Sequence, residues 1–206
     1  MKKIYVPLIA VSLVILTFVS FSFKTESDIR LDAPKWEVDS IHSSISFTVT
    51  HFFTPINGAF DKFTGSLSFD PEQLATSSVD FTVEISSINT KNAKRDGHLQ
   101  SEDFFNAKQW PTMSFKSEKF ESTGDNKFMV SGKMTIRDVT KDISIPLELL
   151  GVRDHMMKEG SLVGALKSEF SLNRNDYGVG TGDWAATVVI GDEVSISIFF
   201  EIIRPK

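Results

Sequence analysis

The sequence predicts an all-β protein in which an antiparallel sheet is interrupted by one short helical insertion. Apolar and polar residues alternate in most segments of the chain, for example from Ile45 to Thr50 and from Val79 to Ile85. Alternation with a period of two is typical of strands that bury one face. The apolar residue is often phenylalanine, since the chain has 18 Phe but only 2 Tyr and 3 Trp. The buried face therefore offers bulk with few hydrogen-bonding groups.

Residues 1–23 have the composition of a targeting segment, and we expect them to lie outside the fold. Two lysines at the start are followed by 20 uncharged residues, 4–23. Ser20 and Ser22 have the spacing that a signal peptidase reads, whereas about 20 apolar residues also suffice for a membrane-spanning anchor. The segment is thus predicted to be a signal peptide or an uncleaved anchor. Both alternatives predict a bacterial protein that is periplasmic or exported, in the second case tethered to the inner membrane.

The rest of the chain divides into a polar linker, 24–34, and one domain, 35–206. Without Lys2 and Lys3, the remaining 20 basic and 27 acidic residues give a net charge of −7. An acidic balance without a basic stripe argues against nucleic-acid binding. The sequence has no cysteine, which excludes disulfides and lipoprotein acylation.

Ten segments with strand-like patterns follow one another along the domain. We expect strands at about 36–40, 43–53, 58–69, 78–88, 112–121, 127–136, 142–151, 161–172, 184–190 and 193–204. Gly124-Asp125-Asn126 and Gly191-Asp192 are typical of hairpin loops. The pattern allows a sandwich or a closed barrel. Because the last strand carries no feature that would protect an exposed edge, we favour the barrel.

The alternation stops between Thr90 and Pro111. Ser101-Glu102-Asp103 has the pattern of a helix N-cap followed by an acidic first turn. We therefore expect two short helices here, at about 91–99 and 102–107, with Pro111 ending the insertion.

Five blocks of sequence resemble the YceI-like polyisoprenoid-binding family in their order and spacing. They are HSSISFTVTH at 42–51, GAFDKFTG at 58–65, RDGHL at 95–99 with DFF at 103–105 and Pro111, GKMTIRDVTK at 132–141, and NRNDYG at 173–178. Gly97 and Asn175 depart from the family's usual residues. The resemblance covers about residues 35–204. It implies an extended, lipocalin-like, eight-stranded antiparallel β-barrel that holds a long isoprenoid chain, such as a quinone tail, in its lumen.

The inward-facing phenylalanines have two interpretations. They could fill a sealed core, which is the commoner position for aromatic side chains, or they could line an apolar cavity, because an eight-stranded barrel is just wide enough to hold a small ligand. The resemblance favours the cavity. On this interpretation the ligand-binding residues are Phe47, Val49, His51, Phe60, Phe63, Phe81, Val83, Arg95, His98, Leu99, Phe104, Phe105, Phe115, Met134, Phe170 and Tyr177.

Arg95 and His98 are the polar members of this set that the helical insertion supplies. They lie three residues apart, on one face of the predicted helix. One hypothesis is that they contact the polar head of an otherwise apolar ligand at the barrel mouth, where Tyr177 adds a hydroxyl group. The alternative is that Arg95 and Asp96 form a structural ion pair or cap that attaches the helix to the barrel.

The sequence favours binding over catalysis. The four histidines form no HxH or HExxH motif, and the chain has no Gly-x-Ser-x-Gly motif. We therefore expect no metal and no cofactor apart from a bound isoprenoid lipid or quinone. The leading hypothesis is a non-enzymatic carrier of a polyisoprenoid lipid. A quinone-linked redox or stress accessory protein is the alternative, and an enzyme that uses Arg95 and His98 is less favoured. The expected partner is the lipid, with membrane association through residues 4–23, and a homodimer stays open.

Overall fold

Ten strands and one α-helix make up the described part of the chain, residues 32–186 and 188–206 of a computed structural model. The predicted signal or anchor segment lies outside these residues. The strands are β1 Lys35–His51, β2 Thr54–Phe60, β3 Phe63–Ser68, β4 Ser78–Glu84, β5 Ile88–Asn89, β6 Thr112–Gly124, β7 Lys127–Ile136, β8 Val139–Asp154, β9 Ser161–Asn173 and β10 Ile190–Pro205; helix α1 is Ala93–Leu99. None of the described helices has the length and apolar composition to span a bilayer.

The strands form a closed antiparallel barrel. The strand order is β10-β9-β8-β7-β6-β4-β3-β1-β2-β5, and β10 also pairs with β1. Strand β1 pairs first with β3 and then with β2, so β2 and β3 are two parts of one bent strand. Likewise β5 continues the path of β4 and pairs with β2. The barrel therefore has eight walls, which confirms the predicted fold class.

Each strand runs between two ends of the barrel that differ in structure. At the end where β1 begins, here called the closed end, one apolar cluster fills the interior. It includes Trp36, Phe69, Phe128 and Ile202, all at least 92% buried. The indole Nε1 of Trp36 donates to the carbonyl oxygen of Phe69 at 3.0 Å. The other end, here called the open end, holds the β1–β2 hairpin, α1 and the segment between β9 and β10.

Two sequence predictions at the open end are wrong. Residues 184–190 do not form a strand: a 3₁₀ turn spans Gly182–Ala185, and β10 begins at Ile190. Gly191-Asp192 consequently lies inside β10 and is not a hairpin loop. The backbone there is held by a side chain, because Arg174 binds the carbonyl oxygens of Ile190 and Gly191. Such a long-range contact leaves no trace in the local apolar pattern.

The helical insertion contains one helix instead of two. Helix α1 agrees with the predicted helix at 91–99, and Asn92 caps it by accepting a hydrogen bond from the Arg95 backbone N–H at 3.0 Å. Residues 102–107 form turns, which contradicts the second predicted helix. The Phe105 N–H returns to the Leu99 carbonyl oxygen, and Asn106 has a φ of 47°. A positive φ ends any right-handed helix.

A bulge interrupts β1 where two separate strands had been predicted. The two predicted strands, 36–40 and 43–53, form one strand that ends at His51, and its pairing with β10 shifts between Asp39 and Ser44. The shift brings His42 back to the carboxylates of Asp39, at 2.8 Å, and Glu201, at 3.6 Å. The imidazole nitrogen and the carboxylate oxygens of these three residues lie within 4.8 Å of one another. This group is on the outer surface of the barrel and takes no part in the cavity described below.

Stability should depend on pH through His42. The hydrogen bond to Asp39, helped by the charges of Asp39 and Glu201, raises the pKa of His42 above 6.5. The same hydrogen bond lowers the pKa of Asp39 below 3.8. The pair therefore stabilises the fold most between about pH 4 and 6.5. Its contribution is lost as pH rises through the folded pKa of His42, or falls through that of Asp39.

We expect His42→Asn to lower the melting temperature slightly at pH 5.5 and to have almost no effect at pH 9, as measured by circular dichroism. His155→Asn is the control, because His155 forms no ion pair among the described residues. An equal loss for His42→Asn at both pH values would contradict the assignment.

Candidate functional site

A cavity of about 620 Å³ occupies the open half of the barrel. Its walls come from β1, β2 and β10, and its cover comes from α1 and the segments that follow α1 and β9. The lining is mainly apolar and includes Ile56, Ile88, Leu172, Val179 and Ile196. The volume falls within the range of about 300–1,000 Å³ that is usual for small-molecule sites.

A second cavity of about 150 Å³ lies deeper, towards the closed end. It is lined by residues of β4, β6, β7 and β9. Both cavities are lined by Ile45, Met113, Ile136, Leu172 and Ile196. The interior of the barrel therefore contains two adjacent apolar cavities, here called the outer chamber and the inner chamber, that share these five lining residues.

The predicted ligand-binding residues are distributed between the two chambers. Those that line the outer chamber are Phe47, Val49, His51, Phe60, Arg95, His98, Leu99, Phe104, Phe105 and Tyr177. Those that line the inner chamber are Phe81, Val83, Phe115, Met134 and Phe170. Phe63 lines neither chamber; its ring packs on Phe200 at 5.3 Å. Whether the lining residues contact a ligand stays a prediction.

Gly58 gives the outer chamber part of its width. It lies opposite Phe47 in the register of β1 and β2. A Cβ atom at this position would overlap the ring of Phe47. The glycine therefore lets the Phe47 ring lie against the sheet and leaves the space beyond it open.

Arg95 is held by one residue at the chamber wall. Its Nε donates to the Thr90 hydroxyl oxygen and its Nη2 to the Thr90 carbonyl oxygen, both at 2.7 Å. The Thr90 hydroxyl in turn donates to Asp96. Arg95 and Asp96 thus anchor α1 through Thr90, and not through the direct ion pair that the structural alternative described. Arg95 nevertheless lines the outer chamber, so the ligand hypothesis also stands.

His98 lies in an aromatic cluster at the mouth of the chamber. Its ring meets Phe104 at 5.0 Å and Trp184 at 4.9 Å, both edge-on. Its Nε2 is 3.0 Å from a carboxylate oxygen of Asp103. Sequence reasoning missed Trp184, because it lies in the segment that had been predicted as a strand.

Arg174 is a second residue that the sequence analysis did not single out. Its side chain is 94% buried and donates to the carbonyl oxygens of Val179, Ile190 and Gly191 at 2.8–2.9 Å. Burial lowers its pKa, and the negative charge of Asp192 partly opposes that effect. Because all three nitrogens of the guanidinium bind backbone oxygens, Arg174 fixes the cover of the chamber to the start of β10.

Arg137 joins two other parts of the cover. Its Nη1 donates to the carbonyl oxygens of Phe104 and Gly178, and its guanidinium lies over the ring of Trp110 at 4.8 Å. Sequence reasoning placed Arg137 in a matching block without giving it a role. The cover is therefore held at two points by arginine side chains.

Tyr177 is a polar side chain of the lining whose hydroxyl is buried and unpaired. It is 98% buried, and its hydroxyl has no partner among the described residues. Burial raises its pKa, with a further contribution from Asp176. A buried hydroxyl without a partner loses about 1–3 kcal/mol of solvation. Protein atoms cover this oxygen, so a polar ligand group would bind it favourably only after a small displacement of the atoms around it.

The YceI-like domain family matches residues 36–202 of the chain. The chain belongs to this family. A YceI protein of Escherichia coli is 29% identical over 95% of the chain and 98% of its own length. A UPF0312 protein of Vibrio parahaemolyticus is 39% identical over 53% of the chain, and the match spans 59% of that relative.

Solved structures agree with this family assignment. The YceI-like domain superimposes on BcnA of Burkholderia cenocepacia with a TM-score of 0.72 and 27% identity, over 82% of this chain and 99% of that one. A YceI protein of Campylobacter jejuni gives a TM-score of 0.65 and 30% identity, over 74% of this chain and 87% of that one. A polyisoprenoid-binding domain of Saccharophagus degradans gives 0.62 over 84% and 100%; at 14% identity it shows the shared fold alone.

Gly58→Ala should narrow the outer chamber. The added methyl group would push the Phe47 ring away from β2 and into the space that it borders. We expect the variant to bind an apolar fluorescent probe such as 1-aminoanthracene at least about fivefold more weakly, while its melting temperature falls only slightly, because the ring can rotate into open space.

Gly97→Ala is the matched control. Gly97 lies in α1 with no atom within 4 Å of an added Cβ, so alanine should leave probe binding unchanged and raise stability by up to about 1 kcal/mol. Equal probe binding by wild type and Gly58→Ala would show that Phe47 does not border the probe site.

Proposed function

We propose that this YceI-like domain binds a polyisoprenoid lipid, with the isoprenoid chain inside the barrel and the polar head at the open end. The apolar, two-chambered interior of the closed barrel carries the proposal. A sealed core would leave no such volume, since protein interiors pack as densely as organic crystals. A branched hydrocarbon chain matches a lining of phenylalanine and aliphatic side chains. The match with a polyisoprenoid-binding domain of the same fold agrees with this choice of ligand.

The domain acts as a carrier or reservoir in this proposal, and not as an enzyme. Three polar side chains at the chamber are already bound by protein groups: Arg95 by Thr90, His98 by Asp103, and Arg174 by backbone oxygens. Catalytic acids, bases and nucleophiles usually form a chain of hydrogen bonds that ends at an open reaction site. The chamber instead offers a shape that fits a hydrocarbon chain.

The head of the ligand is proposed to lie near Tyr177. This hydroxyl can donate to, or accept from, a phosphate, hydroxyl or quinone oxygen. Arg95 lies in the same chamber and has one guanidinium nitrogen, Nη1, that Thr90 does not bind. A quinone head would make the domain a redox accessory, and a polyprenyl phosphate would make it a carrier of that lipid. Both share the same chain site.

The periplasmic location is part of the proposal and rests on the composition of residues 1–23. Export through a signal peptide or anchoring by residues 4–23 would place the barrel beside the membrane in which such lipids reside. Extraction of the lipid from the purified full-length protein, followed by mass spectrometry, identifies the ligand. Recovery of a polyprenyl phosphate or a quinone supports the proposal. Recovery of no lipid, together with failure to bind added polyprenyl phosphate, ubiquinone and squalene, contradicts it.

Ile196→Trp should separate long from short ligands. Ile196 lines both chambers, so a tryptophan would obstruct the passage between them. We expect binding of a long polyprenyl phosphate to weaken at least about tenfold. A short prenyl alcohol such as geraniol, which has two isoprene units, should bind almost as before. Phe63→Leu is the control, because Phe63 lies in the core beside neither chamber. Equal binding of the long polyprenyl phosphate by wild type and Ile196→Trp would indicate that the inner chamber is not used.

Tyr177→Phe should weaken headgroup binding without harming the fold. Removal of an unpaired buried hydroxyl should leave stability unchanged or raise it by up to about 1 kcal/mol. Binding of a polyprenyl phosphate should weaken by about tenfold, since a buried hydrogen bond is lost, while binding of squalene stays the same. Titration with both ligands and a thermal melt measure these effects. An equal weakening of squalene binding would instead indicate that Tyr177 shapes the chamber and that its hydroxyl does not bind the headgroup.

A further inference from the structure

The β1–β2 hairpin ends in two phenylalanines that point away from the core. Phe53 is 98% exposed and Phe52 is 54% exposed. Val188, from the segment before β10, is 79% exposed, and it lies nearby because the Phe52 N–H donates to the carbonyl oxygen of Val189 at 2.8 Å. Phe52, Phe53 and Val188 are here called the phenylalanine tip.

The backbone of this turn disfavours phenylalanine, although the Phe52 ring lies edge-on to His51 at 4.8 Å. The hairpin loop has two residues, and Phe52 has a φ of 52°, in the left-handed region that favours glycine. Two-residue hairpins usually carry glycine, asparagine or aspartate at such positions. The chain therefore keeps an exposed aromatic residue in a strained conformation, and strain of this kind is concentrated at functional positions.

The tip is also surrounded by uncharged sequence. No Asp, Glu, Lys or Arg occurs in residues 40–60, or in residues 184–191, although 24% of the chain is charged. The β8–β9 hairpin at the closed end is different. Its Met156 and Met157 are 91% and 93% exposed, but Asp154, Lys158 and Glu159 flank them. Charged side chains resist entry into a bilayer, so of these two apolar tips only the phenylalanine tip suits a membrane surface.

The tip borders the mouth of the outer chamber. His51 precedes Phe52 and lines the chamber, and Ile190, which pairs with His51, lines it as well. A lipid with a long apolar chain resides in a bilayer, not in water. Its transfer into the barrel requires the mouth to meet the bilayer surface, and the tip is the apolar surface beside that mouth.

We propose that the phenylalanine tip inserts into the interfacial layer of a lipid bilayer and thereby brings the chamber mouth to the membrane. This inference rests on the proposed lipid-binding function. Insertion is hydrophobic and not electrostatic, because the charged residues nearest to Val188 in the sequence, Asp183 and Asp192, are acidic and four or five residues away, and residues 24–206 carry a net charge of −7. The matching surface is a neutral bilayer, and added salt should change the interaction little.

A fluorescent label reports insertion directly. The chain contains no cysteine, so Phe53→Cys and Met156→Cys each provide one site for the environment-sensitive dye NBD on the full-length protein. With phosphatidylcholine vesicles that contain brominated lipid, the label at position 53 should shift to the blue and be quenched. The label at position 156 should change in neither respect. Any membrane binding by the N-terminal segment is the same in both proteins.

Transfer kinetics test what insertion does. The double variant Phe52→Ser/Phe53→Ser should slow transfer of a fluorescent polyprenyl phosphate between phosphatidylcholine vesicles at least about tenfold, at low and at high salt. The amount of this lipid bound at equilibrium in detergent should not change. Met156→Ser/Met157→Ser removes a more exposed apolar pair from the closed end and should transfer lipid at the wild-type rate. Thermal melts confirm that both variants fold.

Three results would overturn the inference. The first is that the label at position 53 stays unquenched with vesicles. The second is that its blue shift occurs without vesicles and grows with protein concentration, which would indicate contact with a second copy of the chain. The third is that the tip variant transfers lipid at the wild-type rate. Failure of the underlying lipid-binding function looks different, because the labelling experiment uses no added ligand. Quenching at position 53 without binding of any isoprenoid would leave the membrane contact standing alone.

Discussion

Closure of the barrel by the pairing of β1 with β10 is the constraint on which the rest of the structure depends. Ten residue pairs join the two strands, so neither strand leaves an edge of unpaired N–H and C=O groups. Closure fixes which side chains face inward, since side chains alternate between the two faces of a strand. It also fixes the interior width. With eight walls the interior can be filled by side chains or hold one ligand. The size of the inward-facing side chains at each level along the barrel axis decides between these outcomes.

The two ends of the barrel show that choice. At the closed end, large aromatic residues such as Phe69 and Phe128, whose rings meet at 5.2 Å, fill the interior. At the open end, Gly58 lies opposite Phe47, and the outer chamber lies between the strands and the cover. Arg137 and Arg174 hold that cover by binding backbone oxygens. Hydrogen bonds from charged groups are stronger than neutral ones, so the cover can be rigid without an apolar plug beneath it.

Strand alternation made most of the fold predictable from the sequence, because a period of two is a local property. The errors occur where a distant side chain sets the backbone path. Residues 184–190 have a strand-like composition, but Arg174 determines how the chain enters β10. Likewise, the turns after α1 follow from the bond between Phe105 and Leu99, which no helix propensity encodes. Phe63 was predicted at the site from its parity alone. Its packing on Phe200 depends on the break between β2 and β3, which parity does not show.

The filled closed end has a kinetic consequence. An interior that opens at one end only is a blind channel, so a molecule threads in and withdraws along the same path. A chain that enters tail first must retrace every apolar contact before its head is free of the barrel. The residence time of a bound lipid should therefore increase with the length of its chain for as long as each added isoprene unit contacts the barrel wall. It should become constant once the end of the chain reaches Trp36 and Phe69. The position of these two side chains would then set the chain length above which release becomes no slower.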